Sequence, residues 1–334
     1  MGRVAVVLLS AASLAFVLYC SRLLPSGVSR LSVAPRRAES LPQIETHAEC
    51  VAALALQERH RCVREDWAAW NAKPATMALI EASGGLTPSM RAFMRTYESA
   101  EWSGSGIACG SGRGSHPLFA ARTLCHLAYL LPLVLQVDLL IDFPCGDQQW
   151  APLLRERAPG VKYLGVDVMP GLVQRNTERF SAPGRVEFLL GELDAPDVFA
   201  ALRARSTLWA PGDRVAVLSR HVLEHNTEAT SLAFFTNLWT SNASYFIGTS
   251  VPVASNDPAR GLGGYSSINF HVPPYNFNRG ILEWLETPLY SLDDVSTTMV
   301  EVWEVPRMVR QMRVSSDAHA IPAWAVEGGE AAKV

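Results

Sequence analysis

Leu139–Trp150, LLIDFPCGDQQW, is the stretch that decides the fold. A largely apolar run, Val137–Ile141, ends at Asp142, and a Pro144-Cys145-Gly146-Asp147 turn follows. Helix-compatible sequence then extends from about Gln148 to Ala158. This pattern predicts a buried parallel strand feeding a turn and a helix, the opening unit of a doubly wound sheet. It would place backbone N–H groups and a helix N-terminus at the carboxyl end of the strand. Asp142 would sit at that end, with Gly146 where a ligand needs close backbone approach. The same turn occurs in α/β proteins that bind nothing there, so alone it leaves function open.

Downstream, the pattern repeats. Val161–Val166 predicts a second strand running into Asp167, 25 residues after Asp142. In a doubly wound fold an acid ending the second strand holds ribose hydroxyls. Met169 follows two residues later, where an apolar side chain can cover an adenine face. A helix over Gly171–Phe180 comes next, then a third strand, Val186–Leu190, ending in Gly191-Glu192. Arg214–Ser219 predicts a fourth strand that enters Arg220-His221-Val222-Leu223-Glu224-His225. Tyr245–Thr249 predicts a fifth, and Met299–Val305 a late antiparallel one. Upstream, Leu118–Leu135 reads as a helix leading into the central strand. It is preceded by the Gly/Ser-rich Glu101–His116, either a flexible linker or a backbone-lined loop that touches ligand. Apolar spacing predicts further helices over Glu45–Trp70 and Pro88–Ser99, which cap the sheet or lean over its cleft.

The chain has 334 residues, 49% of them apolar and 18% charged, enough for one large domain with appendages. Its formal net charge is −3, and five arginines precede the first acid, Glu39, so residues 39–334 carry −8. A polyanion-binding surface shifts that balance the other way, which argues against nucleic acid as the substrate. Six cysteines form no CxxC pair and no Cys/His cluster at zinc spacing, so no structural metal is expected. Cys50 and Cys62 either pair, in a lumenal protein, or are free thiols on a short helix.

Val4–Cys20 is an uncharged run of 17 residues, at the lower limit for a membrane-spanning helix. It reads first as a single-pass signal anchor, which would hold the protein at a membrane such as that of the endoplasmic reticulum or Golgi. A cleaved signal peptide and an organellar transit peptide compete with that reading. Tyr19-Cys20-Ser21-Arg22 is a poor cleavage site, however, and the run is hydrophobic for a transit peptide. Arg3 and Arg22 flank both ends, leaving the orientation open. The expected organisation is a hydrophobic segment (1–24), a linker (25–43), a helical cap (44–100), a main domain (101–314) and a tail (315–334).

The ordered set DFPCGD at 142–147, YLGVD at 163–167, FLLGE at 188–192, HVLEH at 221–225 and FIGTSVP at 246–252 resembles the class I S-adenosylmethionine-dependent methyltransferases. The resemblance covers about residues 102–305. It implies a Rossmann-like fold, an α/β doubly wound, mostly parallel seven-stranded sheet, with S-adenosylmethionine as cofactor. By position it implicates Asp142, Gly146, Asp167, Met169 and Glu192 in cofactor binding. Cys145 and Asp147 of the same turn, and Arg220 beyond the fourth strand, complete the expected set. Two departures stand out. Of the family's Gly-x-Gly-x-Gly turn only Gly146 remains, and Glu192 stands where aspartate is commoner.

Methyl transfer from a sulfonium needs alignment and, for a weak nucleophile, a base. Candidates for that work are His221, Glu224 and His225. The two histidines are four apart and share a face if the segment is helical. Alternatively His221 lines the cofactor site and His225 packs in or caps the following helix. Metal ligation by the pair lacks a third ligand. Val272-Pro273-Pro274-Tyr275 and Asn256–Asn269 read as acceptor-side loops. Asn242-Ala243-Ser244 is a glycosylation sequon, usable only in a lumenal topology. The expected acceptor is a small molecule or a glycan. The competing readings are a non-catalytic scaffold that kept the fold and a membrane-anchored glycosyltransferase. The latter wants an Asp-x-Asp metal box that neither Asp293-Asp294 nor Asp194–Asp197 supplies in context.

Overall fold

The structure is a computed structural model that describes residues 65–103, 110–257, 261–286 and 298–308. The hydrophobic segment, the linker, most of the Glu45–Trp70 helix, Cys50, Cys62 and the tail lie outside the described residues. No helix among the described residues is long and apolar enough to cross a membrane.

Three helices precede the sheet: α1 (Trp67–Asn71), α2 (Pro74–Ala82) and α3 (Pro88–Glu98). α4 (Pro117–Tyr129) continues into a wider turn, Leu130–Val134, before β1 (Leu139–Asp142). Then follow α5 (Ala151–Arg157), β2 (Lys162–Asp167), α6 (Pro170–Phe180), β3 (Val186–Leu190), α7 (Val198–Arg205) and β4 (Val215–Ser219). α8 (Glu228–Thr240), β5 (Tyr245–Ser250), β6 (Leu282–Leu285) and β7 (Met299–Glu304) complete the described order. The helix starts carry legible caps. The Thr87 and Thr227 hydroxyls accept the amides of Met90 and Thr230, and Pro88 stands in the first turn of α3.

The sheet has seven strands in the order β3-β2-β1-β4-β5-β7-β6. β1 through β5 pair in parallel, while β7 is antiparallel to both β5 and β6. β1 lies in the middle with the chain crossing to both sides, so the carboxyl ends of β1, β2 and β4 meet at one edge. β6 has no counterpart among the six strands placed from sequence. Its LEWL is short and polar-interrupted, and it is recognisable only once β7 is there to pair with.

Alternate residues of each strand face opposite sides. Leu140, Tyr163, Ala216 and Ile247 join a core with Met90, Leu124, Leu154 and Leu172 of the helices on one side. Leu139, Ile141, Leu164, Val217 and Phe246 join a core with Phe199, Phe234, Phe235 and Leu238 on the other. Because both faces are covered, the strands are almost wholly apolar rather than alternating. The sequence places Val272-Pro273-Pro274-Tyr275 over an acceptor; in the structure Tyr275 turns into this second core while Pro273 is exposed. Tyr275 is 1% exposed and packs edge-on against Phe235 and Phe270, so burial of its ring sets its position.

Gly165 on β2 is held to glycine by packing. A Cβ there would lie 2.5 Å from the Phe188 ring on β3 and 3.1 Å from Cys145 Sγ. Gly165→Ala is expected to destabilise by about 1–3 kcal/mol through overpacking. A lowered denaturant midpoint at unchanged m-value checks this, and an unchanged midpoint would contradict the β2–β3 register.

Candidate functional site

The carboxyl ends of β1, β2 and β4 open into a cleft of about 830 Å³, counted out to open solvent. Its walls include Asp142, Cys145, Gly146, Asp167, Glu192, Arg220, His221 and His225, eight of the residues singled out from sequence. Asp147, Met169 and Glu224 do not line it. Met169 is fully buried in the core, so it is Val168, not Met169, that reaches the wall. Asp147 stands behind cleft-lining Ser111, accepting the Ser111 amide at 3.2 Å while its own amide donates to Ser111 Oγ at 2.7 Å. The Gly/Ser-rich segment is therefore, where described, part of the site: Ser111 and Ser115 line the cleft and Gly114 binds Arg220 through its carbonyl.

The turn after β1 is longer than the sequence pattern indicates. Gly146 and Gln148 both adopt left-handed backbone, at φ 55° and 59°, and α5 begins only at Ala151. The Gln148 side chain secures the extra residues, donating to Cys145 O at 3.0 Å and to Tyr163 Oη at 2.6 Å and accepting from Arg155 at 2.6 Å. Turn residues Cys145 and Gly146 line the cleft, and of the α5 start its N-cap residue Trp150 lines it too. Tyr163 Oη in turn donates to Asp142 at 2.5 Å. Gly146 N donates to Asp167 at 3.0 Å, and Met169 N to the other Asp167 oxygen at 3.0 Å. A Cβ on Gly146 would sit 2.8 Å from Ser111 Oγ, so neither its φ nor its surroundings accept a larger residue.

Beyond β4 the chain does not become helical at once. His221 is left-handed at φ 51°, and only a short 3-10 turn, Leu223–His225, precedes α8. The two histidines therefore do not share a helix face, and their surroundings differ. Arg220 donates to Glu286 Oε1 at 2.7 Å and to Gly114 O at 2.7 Å, while its Nη2 is buried without a partner. Glu286 also accepts His221 Nε2 at 2.7 Å and the Thr123 hydroxyl. His221 Nδ1 reaches Glu224 at 3.1 Å. Its Glu224 and Glu286 partners raise the His221 pKa to about 9 against the effect of burial. Both ring nitrogens are engaged by carboxylates, so the geometry makes His221 a held cation rather than the base expected of it. Glu224, 2% exposed behind the cleft wall, positions that cation.

His225 is the contrasting case. Burial lowers its pKa, so it is neutral at physiological pH. Nδ1 lies 2.7 Å from the Gly264 carbonyl, which can only accept. The proton therefore sits on Nδ1, and Nε2 carries a lone pair. The ring packs at a tilt of 43°, 4.7 Å from Trp102, which meets Tyr97 and Phe93 to form an aromatic wall. The Asn256–Asn269 loop enters the site here: Gly264 fixes His225, and Tyr265 lies 5.7 Å from its ring.

Sequence reasoning missed Glu286 and Thr123, and reached Ser111 and Trp102 only through the Glu101–His116 segment as a whole. Glu286 is the most consequential. It follows the polar-interrupted LEWL stretch, where nothing in the pattern marks a buried carboxylate and nothing in the spacing points to Arg220. Among the described residues no cluster of His, Cys, Asp and Glu is arranged to hold a metal ion.

Burial raises the carboxyl pKa of Asp142 to about 7 and that of Asp167 to about 6. Both acids bind their protons more tightly folded than unfolded. The stability they add is full below the ordinary 3.8 and is lost as pH rises through 6 and 7. His221 acts in the same direction, losing its contribution as pH climbs through about 9. Glu286, lowered to about 2, has the opposite sign and loses its contribution as pH falls below 4.5. On these four groups the ligand-free protein should be most stable near the unfolded carboxyl values of 3.8 to 4.5 and lose stability above them, and Asp142→Asn should remove the step near pH 7. Thermal unfolding across pH reads both. Histidine 15N spectra at pH 7.5 should show His221 doubly protonated and His225 neutral with Nε2 bare; a charged His225 would contradict the assigned tautomer.

No protein-family model matches the chain, and no curated protein matches it. Solved structures that it resembles include a SAM-dependent methyltransferase from Anabaena variabilis, at 10% identity and a TM-score of 0.43, over 66% of this chain and 95% of that one. A putative methyltransferase from Thermobifida fusca matches at 11% identity and a TM-score of 0.39, over 75% and 97%. Human N-acetylserotonin methyltransferase, solved with SAM, matches at 13% identity and a TM-score of 0.31, over 68% and 59%. At such identities the likeness is one of fold.

Proposed function

We propose that this protein is an S-adenosylmethionine-dependent methyltransferase acting on a small-molecule or glycan acceptor. The observation that carries the reading is the cleft floor. Asp142 ends β1 and Arg220 lies just past the end of the adjacent β4, and the buried Arg220 Nη2 has no partner. An anion-binding donor beside a buried carboxylate matches an amino-acid zwitterion, its carboxylate toward Arg220 and its ammonium toward Asp142. Asp167, at the end of β2, is placed for ribose hydroxyls, and Glu192, after β3, for an adenine amine. Asp142, Asp167, Glu192 and Asp194 also make the walls acidic, which suits a cationic sulfonium.

The cofactor supplies an electrophilic methyl group when bound. The chain's own contribution is alignment and proton removal. His225 Nε2 takes the proton of a hydroxyl or ammonium acceptor held against Trp102, and Gly264 O keeps the ring in the receptive tautomer. His221, already charged, holds Glu286 and Glu224 in place.

Calorimetric titration of the full chain tests the donor site. S-Adenosylmethionine and S-adenosylhomocysteine should bind, and Asp167→Asn should weaken both by about tenfold to a hundredfold, the range for a charged hydrogen bond. Arg220→Lys keeps the cation for Glu286 but removes the second fork nitrogen. It should weaken both ligands by a similar factor and leave 5′-methylthioadenosine, which lacks the amino-acid end, unaffected. Absence of binding in a folded sample would overturn the reading.

A further inference from the structure

Asn242 begins the sequence's single Asn-x-Ser/Thr triplet, Asn242-Ala243-Ser244. The structure puts it in the turn between α8 and β5, where Ser241 closes the helix and Asn242 is left-handed at φ 60°. Its side chain is exposed, whereas Ala243 is buried at 3% and anchors the turn in the second core. Ser244 N donates to Val215 O at 2.8 Å, which sets the turn beside the amino-terminal ends of β4 and β5. The cleft lies at the carboxyl ends of the strands, so Asn242 is on the far edge of the sheet. A bulky group there meets solvent and blocks neither the cleft nor the Trp102–His225 wall.

A second observation is independent of this turn. Cys125, on the buried face of α4, is disulfide-bonded. A disulfide in a chain of this size marks an oxidising compartment. The sequence adds Val4–Cys20, an uncharged run suited to carrying the chain to a secretory membrane. An exposed sequon, an oxidised cysteine and an apolar leader agree on one environment.

We propose that Asn242 is an N-glycosylation site and that the folded domain resides in the lumen of the secretory pathway. The Asn242 amide nitrogen forms a bond to the anomeric carbon of an oligosaccharide carried on a lipid diphosphate. The anomeric carbon–oxygen bond breaks, the lipid diphosphate leaves, and the amide gives up one proton. Ala243 and the backbone of Ser244 are bound into the fold, so attachment precedes completion of β5 pairing, as the sequon emerges from synthesis.

The test is expression of the full chain in cultured eukaryotic cells, followed by peptide-N-glycosidase treatment and gel mobility. One discrete glycosidase-sensitive shift is expected. Ser244→Ala and Asn242→Asp should each abolish it, and aspartate preserves the left-handed tendency of the turn. Mass spectrometry in 18O water should locate the deamidated residue at position 242. A chain insensitive to the glycosidase overturns the proposal, as does a shift that survives both substitutions.

Discussion

Glu286 is the constraint on which the site depends. Its two oxygens gather Arg220, His221 and the Thr123 hydroxyl, so one carboxylate at 3% exposure ties the end of β6 to the end of β4 and to α4. Buried charge persists only when it is paired, and removing one partner of such a pair costs about 3–5 kcal/mol. The pairing also explains why His221 tolerates a left-handed backbone: its ring is clamped from both sides, and its amide donates to Thr249 at 2.9 Å. Four charges, two of each sign, neutralise one another at and behind the cleft wall, while the wall carboxylates Asp142, Asp167, Glu192 and Asp194 form no ion pair among the described residues. The walls of the cleft thus have a rigid, neutral quarter and an acidic one.

The fold was legible in the sequence because strands buried on both faces write themselves as unbroken apolar runs. The acids that end β1 and β2, and the glycines beside them, were legible for the same reason, since polarity in such a run can only mean its end. Cap and turn chemistry was less so. Helix periodicity alone starts α5 at Gln148, whereas two left-handed residues and the Gln148 side chain defer it to Ala151. Met169 shows a different limit. Position after a strand indicates nearness to a ligand but not which way a side chain turns, and the core took the thioether while Val168 faces the cleft.

The contrast between the histidines was beyond any reading of HVLEH. Spacing of four puts both on one face only if the segment is helical, and partners inside and outside the motif decide their protonation. His221 owes its charge to Glu224 within the motif and to Glu286, 65 residues on, whereas burial keeps His225 neutral against the pull of the Gly264 carbonyl, which fixes its tautomer. Long-range contacts fix the chemistry of a site more than the motif that locates it.

Glu192 lines the same cleft as the histidines; burial raises its pKa, and Thr87 and Ser89 at the start of α3 counter that by favouring its charged form. The charge on Glu192 is thus shared between the cleft and the first turn of α3. A change in that charge made on one side is felt on the other, as thermodynamic linkage requires.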